Sequence, residues 1–514
     1  VNVSGATDVT LNDTDELELG NVTATGKLDA TAATDLVLSG NVSADALDLT
    51  ATAGEINQTG GKLSVITGPT NLTAGTNITL DSATNDFNGT VNADGAAISL
   101  VDANSLTLGD VTATGNLNAK AEDDLVLEGN VSADTLDLTA TNGQIDQTGG
   151  ELSVVTGPTN LTAGTDITLN SATNDFNGAV NADGNNIALA DGTGGLTLGD
   201  ITAGGTFDVT STDGTIDQAA DTTIAVTGET TLDASVNGAP ADITLDGANN
   251  DFSTVNADGA SITLVDVNSL TLGDVTATGN LNAKAEDDLV LEGNVSADTL
   301  DLTAATGEIN QTAGKLSVVT GPTNLTAGTD ITLNSADNSF LGSLTVNGQN
   351  INLSDLNNLT LAEATARSNL TVTSGGNLVF GPTSVDGNLS ATTAGGSITQ
   401  TGAVLVQGTA TFDAGDGSIS LSNPNNYFPS GVDAKGSSVV ITGDPKTVLS
   451  QISAGVFYQE AITEEFAPVR VADSFSSGLV TRDVLVVTEA DEQQIKTSLC
   501  MSSPVSVNLE CVSD

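Results

Sequence analysis

Histidine and tryptophan are absent from these 514 residues, cysteine occurs twice, and 11 basic residues face 66 acidic ones. Each shortage closes off a class of function. Without His, and with no nucleophile–base pattern, no active site can be read from the chain. Two sulfurs and no His leave too few soft ligands for a zinc site. A net charge of −55 repels nucleic acid and anionic lipid headgroups and excludes both as partners. No apolar run is long enough to span a membrane, and no signal peptide is visible. Aromatic residues make up only 3% of the chain, whereas a wide globular core uses large rings. The interior is therefore read as narrow and filled by Leu, Val, Ile and Ala.

What the chain has in abundance is itself. Ser105 to Ala140 returns letter for letter at Ser269 to Ala304, and looser copies fill most of the rest. Phe87, Phe176, Phe252, Phe340 and Phe428 mark equivalent positions, at steps of 89, 76, 88 and 88 residues. Such long-period self-similarity belongs to repeat architectures, whose units touch only their neighbours. Residues 1–11, VNVSGATDVTL, match VNADGAAISL at 91–100, so the chain starts inside a repeat. It reads as the C-terminal piece of a longer protein.

A shorter beat runs within each repeat. Leu106-Thr107-Leu108, Leu136-Asp137-Leu138, Leu152-Ser153-Val154 and Ile167-Thr168-Leu169 alternate apolar and polar residues, the period-2 pattern of half-buried strands, and the apolar Leu125-Val126-Leu127 keeps the same beat. Gly109-Asp110, Asn142-Gly143, Gly149-Gly150 and Gly157-Pro158 mark the turns between them. Three architectures could follow. A leucine-rich horseshoe needs L-x-x-L-x-L-x-x-N and a helix-like return, and has neither. A string of sandwich domains would want longer strands, a central aromatic and hairpin signals. The third copy is short by about 14 residues, closer to one solenoid rung than to a sandwich strand pair. The expected fold is all-β, a parallel β-helix with roughly 20 residues per rung. About twenty rungs, 4.7–4.9 Å apart, would make a monomeric rod roughly 100 Å long.

The repeats fade after Ile441, giving an expected shaft at 1–441 and a non-repeating capping module at 442–514. Five of the 11 basic residues lie between Lys435 and Lys496. Glu489 to Leu499 is the one stretch that reads as a short helix. A module here would cover the open backbone edge of the last rung.

Several motifs invite chemistry. Cys500 and Cys511 enclose a short polar loop, and in an exported protein such a pair should be a disulfide. It is either a staple for the final residues or a covalent loop that something grips, and spacing does not choose. Asn-x-Ser/Thr triplets are frequent, with Asn71, Asn130, Asn160, Asn294 and Asn324 among the glycosylation candidates. Glu122-Asp123-Asp124 and its copy Glu286-Asp287-Asp288 could pair carboxylates for glycoside cleavage. They sit beside turns, so a solvated turn is the better reading. The repeated Asn-Asp-Phe reads as one Phe filling a corner of the core per repeat, ahead of a ligand-stacking platform. The acids at large read as a solvated face. Ca²⁺ is the one cofactor their chemistry suggests. The calcium-binding G-G-x-G-x-D unit does not recur, so no cation site is assigned.

ITLNSATNDFNGAVNADG, LVDANSLTLGDVTATGNL and GGELSVVTGPTNLTAGTDITL resemble the repeats of the filamentous-haemagglutinin-type exoproteins of bacterial two-partner secretion, over roughly residues 1–441. The resemblance implies a right-handed parallel β-helix outside the cell, with adhesion or aggregation as its role. A subset, the high-molecular-weight and biofilm-matrix adhesins, ends in a close cysteine pair that holds the C-terminus in the outer-membrane transporter. Cys500 and Cys511 match that arrangement, which shifts their reading toward anchoring. Members with this pattern can be glycosylated at Asn-x-Ser/Thr.

The expected function is thus a non-enzymatic, extracellular adhesin stalk, anchored at the outer membrane and serving attachment, aggregation or biofilm formation. Expected partners are the transporter and an extracellular polysaccharide or neighbouring cell surface. The rivals are a polysaccharide-active β-helix enzyme and an ice- or mineral-binding repeat protein. The enzyme wants a unique acid cluster in one rung, and none is seen. The ice or mineral binder wants a Thr array at every rung, whereas Thr112/Thr114 and Thr276/Thr278 recur once per long repeat.

Overall fold

The computed structural model describes residues 1–444, 446–447 and 449–461, the last six by backbone alone. The module expected at 442–514, its helix at 489–499 and the cysteine pair lie largely or wholly outside the described residues. Every described element is a strand, and the strands pair in parallel as a β-solenoid. Two compact units result, Val1–Gly321 with Thr326–Gly328, and Pro322–Leu325 with Thr329–Asp514.

In the first unit each rung holds three short strands. One rung is Val22–Ala24, Lys27–Ala32 and Leu36–Leu38, and the next is Val42–Ala44, Ala46–Ala51 and Ile56–Gln58. Each strand pairs with its equivalent about one turn later: Val22 with Val42, Leu28 with Leu47, Leu36 with Ile56. Alternation does what a half-buried strand requires. In Lys27–Ala32 the side chains of Leu28, Ala30 and Ala32 are buried and those between them are not. Branched and small aliphatics stack on one another in columns, so the interior needs few large rings: one at the same place in each repeat, with Phe207, Phe380 and Phe412 buried elsewhere. Gly61, in one turn, has φ +74, and a Cβ there would lie 2.1 Å from the Gly40 carbonyl oxygen of the rung below.

The exceptional place is the Asn-Asp-Phe segment, where the pairing pattern shifts. The first-position ladder of Val22, Val42 and Leu63–Val65 ends on Asp86–Phe87. The second-position strand Val91–Gly95 then pairs with the far half of Leu106–Ala113, which heads the first-position ladder of the next repeat. The third-position strand Ile98–Asp102 pairs with Asn116–Ala121, which is second-position. A new third-position ladder starts at Leu106–Leu108 with Leu125–Leu127.

Each ladder is therefore handed to the neighbouring position once per repeat. Counting the halves of Leu106–Ala113 separately, thirteen strand segments separate Leu106 from its equivalent Leu196. At three to a rung, one repeat makes four and a third turns. With Ile224–Val236 and Asp251–Gly259 likewise counted as two halves each and Ala239–Pro240 left out, the short third repeat has ten segments between Leu196 and Leu270, or three and a third turns. It has lost one whole rung and gained the antiparallel hairpin of Ser235–Val236 with Ala239–Pro240. The number of whole turns changed while the third of a turn was kept.

The second unit repeats the scheme. Ala364, Thr383 and Val404 form a first-position ladder that reaches Tyr427 beside Phe428. Ala410 then pairs with Val432, and Ser418 with Ser438. Parallel pairing continues past Ile441, where Val432–Gly443 lies against Leu449–Ala461.

Candidate functional surface and repeat junctions

Turns between strands leave backbone N–H groups with no ladder partner, and Asn and Asp side chains take them. The Asn2 side-chain oxygen accepts the Asn21 N–H at 2.6 Å, Asn21 that of Asn41 at 3.0 Å, and Asn41 that of Lys62 at 2.9 Å. A second corner works alike, with Asp124 holding the Gln144 N–H at 3.1 Å and Asp166 that of Asn186 at 3.0 Å. The Asn186 N–H holds the Asp166 carboxyl below its usual pKa range. Many acids and amides that look like solvated turn residues thus join one rung to the next.

Each hand-over is built around a buried polar node. Gln58 and Asn85 exchange paired amide bonds of 2.8 and 2.7 Å, and Asn85 also accepts the Leu63 N–H at 2.9 Å. Gln147 with Asn174, Gln218 with Asn250 and Gln400 with Asn426 repeat the arrangement. Beside it, Asp102 accepts the N–H of Phe87 on one oxygen and that of Asn104 on the other, both at 2.7 Å. The Phe87 N–H needs this acceptor because its ladder ends there. Asp266 caps Phe252 at 2.6 Å and Asp355 caps Phe340 at 2.8 Å. At the second junction Asp191 takes the Thr193 N–H at 3.0 Å, and its other oxygen is buried without a hydrogen-bond partner. Burial pushes Asp102 and Asp191 up to about 6, against the pull of the N–H groups, and raises Asp266 and Asp355 as well. By register, Gly443 stands at the fifth junction where the others have Asp. The five phenylalanines are all buried, so the Asn-Asp-Phe segment offers no stacking platform.

Outside, second-position strands carry two polar columns. Asp29/Thr31, Asp48/Thr50, Asn71/Thr73, Asn92/Asp94 and Asp110/Thr112 occupy successive rungs. After the hand-over the columns resume one face further round, from Asn118/Lys120 through Asp137/Thr139, Asn160/Thr162 and Asn181/Asp183 to Asp200/Thr202. A third face takes them up at Asp208/Thr210. A mixed array of Asp, Asn and Thr does therefore recur at every rung, although Thr-x-Thr pairs do not, and its two-column form stays on one face for about one repeat before Ser132 and Ser153 carry the ladder on. Where the second set ends, the pairing slips register between Val180 and Ala182. A shallow recess of about 270 Å³ opens there among Asn160, Thr162, Asn181, Asp183, Asp200 and Thr202.

The same periodicity decides the family. The model for repeats of unknown function, DUF5649, matches residues 6–45, 31–94, 121–183, 184–258, 285–347 and 367–435, well over half of the chain. The chain belongs to the DUF5649 family. Five of the six DUF5649 segments end on equivalent residues, Asp94, Asp183, Asp258, Asn347 and Lys435, just after the junction phenylalanine. The family unit thus closes at the hand-over. No curated protein and no solved structure matches.

The glycosylation candidates fall into two environments. Asn71 and Asn160 lie mid-strand in the outer columns. Their amides donate to Asp48 at 2.7 Å and Asp137 at 2.6 Å, and accept from Asn92 and Asn181. Asn324 is exposed on the strand Thr323–Ala327. Asn130 and Asn294 are corner residues, Asn130 accepting the Glu151 N–H at 3.0 Å and Asn294 donating its N–H to Asp274 at 2.8 Å. Glu122 and Asp123 are exposed on a turn, as are Glu286 and Asp287. Among the described residues no three acidic or sulfur ligands gather around a cation site. Sequence reasoning singled out Asn85 only as part of Asn-Asp-Phe, and did not single out its junction partners Gln58 and Asp102. Their one signal was the recurrence of I-N/D-Q and L-x-D at the spacing of the phenylalanines.

Proposed function

We propose that this DUF5649 chain is the stalk of an exported bacterial surface adhesin, held at the outer membrane through its C-terminus. One observation carries the reading. A repeat of four and a third turns brings the same polar columns to each face in turn. A stalk that meets polysaccharide or neighbouring cells from any side is served by that arrangement, and a flat crystal binder is not. The per-rung columns favour an ice or mineral surface as a second reading. It is weighed down by their departure to the next face after about one repeat. The resemblance of the repeats to two-partner exoproteins supports export, and the close spacing of Cys500 and Cys511, like the cysteine pair of the adhesins they resemble, supports anchoring.

The test uses cells that display the full-length parent through its transporter. They should aggregate and attach more than cells lacking it, and removing residues 106–195 should reduce the effect by degrees. Cys500→Ser should release the protein into the medium. Display without any gain in aggregation or attachment would refute the adhesin reading, and retention of Cys500→Ser at the wild-type level would refute the anchor.

A further inference from the structure

The four junction aspartates are not explained by display or by turn formation. Asp102, Asp191, Asp266 and Asp355 are each at most 3% exposed. Each holds the point where one ladder stops and its neighbour is handed on. A carboxylate buried this far from water pays its desolvation in full unless its oxygens are bonded. At the second junction one oxygen of Asp191 is not. The surroundings add charge of the same sign. Asp86, Asp175 and Asp251 flank the first three, with only Lys62 opposing at the first. The fourth has Ser339 in the flanking place. The turn above Asp102 bears Glu122 and Asp123, whose N–H groups bond to the Asp102 and Asn104 carbonyls, and Glu286 and Asp287 stand likewise above Asp266. Above Asp191 the turn carries Asp213, after the Thr212 N–H bonds to the Asp191 carbonyl. Above Asp355 the Gly375 N–H makes the same bond and no charge accompanies it.

We propose that these aspartates make the repeat junctions proton-responsive joints, looser when the carboxylate is ionised and tighter when it is neutral. The sign follows from linkage. A carboxyl whose folded pKa lies above its unfolded value favours the fold when protonated. That contribution is complete in acid below the unfolded value and disappears as pH rises through the folded value. Asp102 and Asp191 titrate in the fold at about 6, so the change spans roughly pH 4 to pH 7, and about tenfold of it lies between pH 7.5 and pH 5.

The fifth junction supplies the control, since Gly443 replaces the carboxylate there. Native-state hydrogen exchange of the full chain, corrected for intrinsic rates, should be compared at pH 7.5 and pH 5. Protection of the Phe87 and Phe176 amides should be about tenfold greater at pH 5, with Phe252 and Phe340 moving the same way and Phe428 unchanged. Asp191→Ser keeps a short acceptor for the Thr193 N–H and does not titrate. It should abolish the response at Phe176 alone. A response of equal size at Phe428, no response at Phe87 and Phe176, or persistence at Phe176 in Asp191→Ser would each overturn the proposal. The wild-type comparison with Phe428 stands even if that variant fails to fold.

Discussion

Replacing Asn85 with alanine removes the centre of the first junction without touching the ladders on either side. Asn85 is fully buried and bonds to four groups: both ends of the Gln58 amide, the Leu63 N–H, and the Leu80 carbonyl at 3.1 Å. The Gln58 side chain, at 8% exposure, can turn partly toward water, but the two backbone groups cannot. A buried polar group left unpaired costs about 1–3 kcal/mol. Two such groups give about 2–6 kcal/mol of local destabilisation. Repeat proteins fail locally, so the loss should stay near this junction. Hydrogen exchange at the Leu63 amide reads it directly. At about 1.4 kcal/mol per tenfold, exchange should accelerate by at least about thirtyfold, while Phe176 and Phe252 stay protected. Asn92→Ala, on the outer columns, is the comparison and should change local exchange by less than about fivefold. If Asn85→Ala behaves like Asn92→Ala, the junction is not held by its polar node.

Further consequences can be measured on the same material. Phe176→Ala empties a buried site where a ladder ends, and should lower local stability by about 3–5 kcal/mol by denaturant-dependent exchange. A loss below about 1 kcal/mol would mean the ring packs loosely. The Thr159 hydroxyl is buried with no protein partner. Thr159→Val should therefore be neutral or stabilising by about 1 kcal/mol, and clear destabilisation would reveal a hydrogen bond to something else. The −55 charge predicts a melting temperature that rises with NaCl. Millimolar Ca²⁺ acting far beyond matched ionic strength would instead establish a specific cation site.

Much of the architecture is legible in the sequence because each strand states its own burial. LTL, ITL and LSV alternate over three residues, and Gly-Gly or Asn-Gly marks the turn that follows. The missing rung of the third repeat is legible as a shortage of residues, although the hairpin at 235–240 hides part of its length. The hand-over is not legible. A period of 89 residues is the same whether it makes a whole number of turns or a third more, and only the pairing of Ile98–Asp102 with Asn116–Ala121 tells them apart. The junction set stays hidden for a related reason. Asn85 is marked only by the Phe87 that follows it, and nothing local distinguishes Asp102 from Asp94 on the outer columns. Their burial comes from the rung above, more than a dozen residues away in the chain.

The third of a turn can be tested by cross-linking. In a Cys500→Ser, Cys511→Ser background, Ser99→Cys can be paired with Asn118→Cys or with Val126→Cys. The hand-over places Ser99 directly against Asn118 on the next strand, within the Cα separation a disulfide accepts. A whole number of turns per repeat would place it against Val126, on the next third-position strand. Mild oxidation should close the first pair and leave the second reduced. Closure of the Ser99/Val126 pair with the Ser99/Asn118 pair left open would contradict the account.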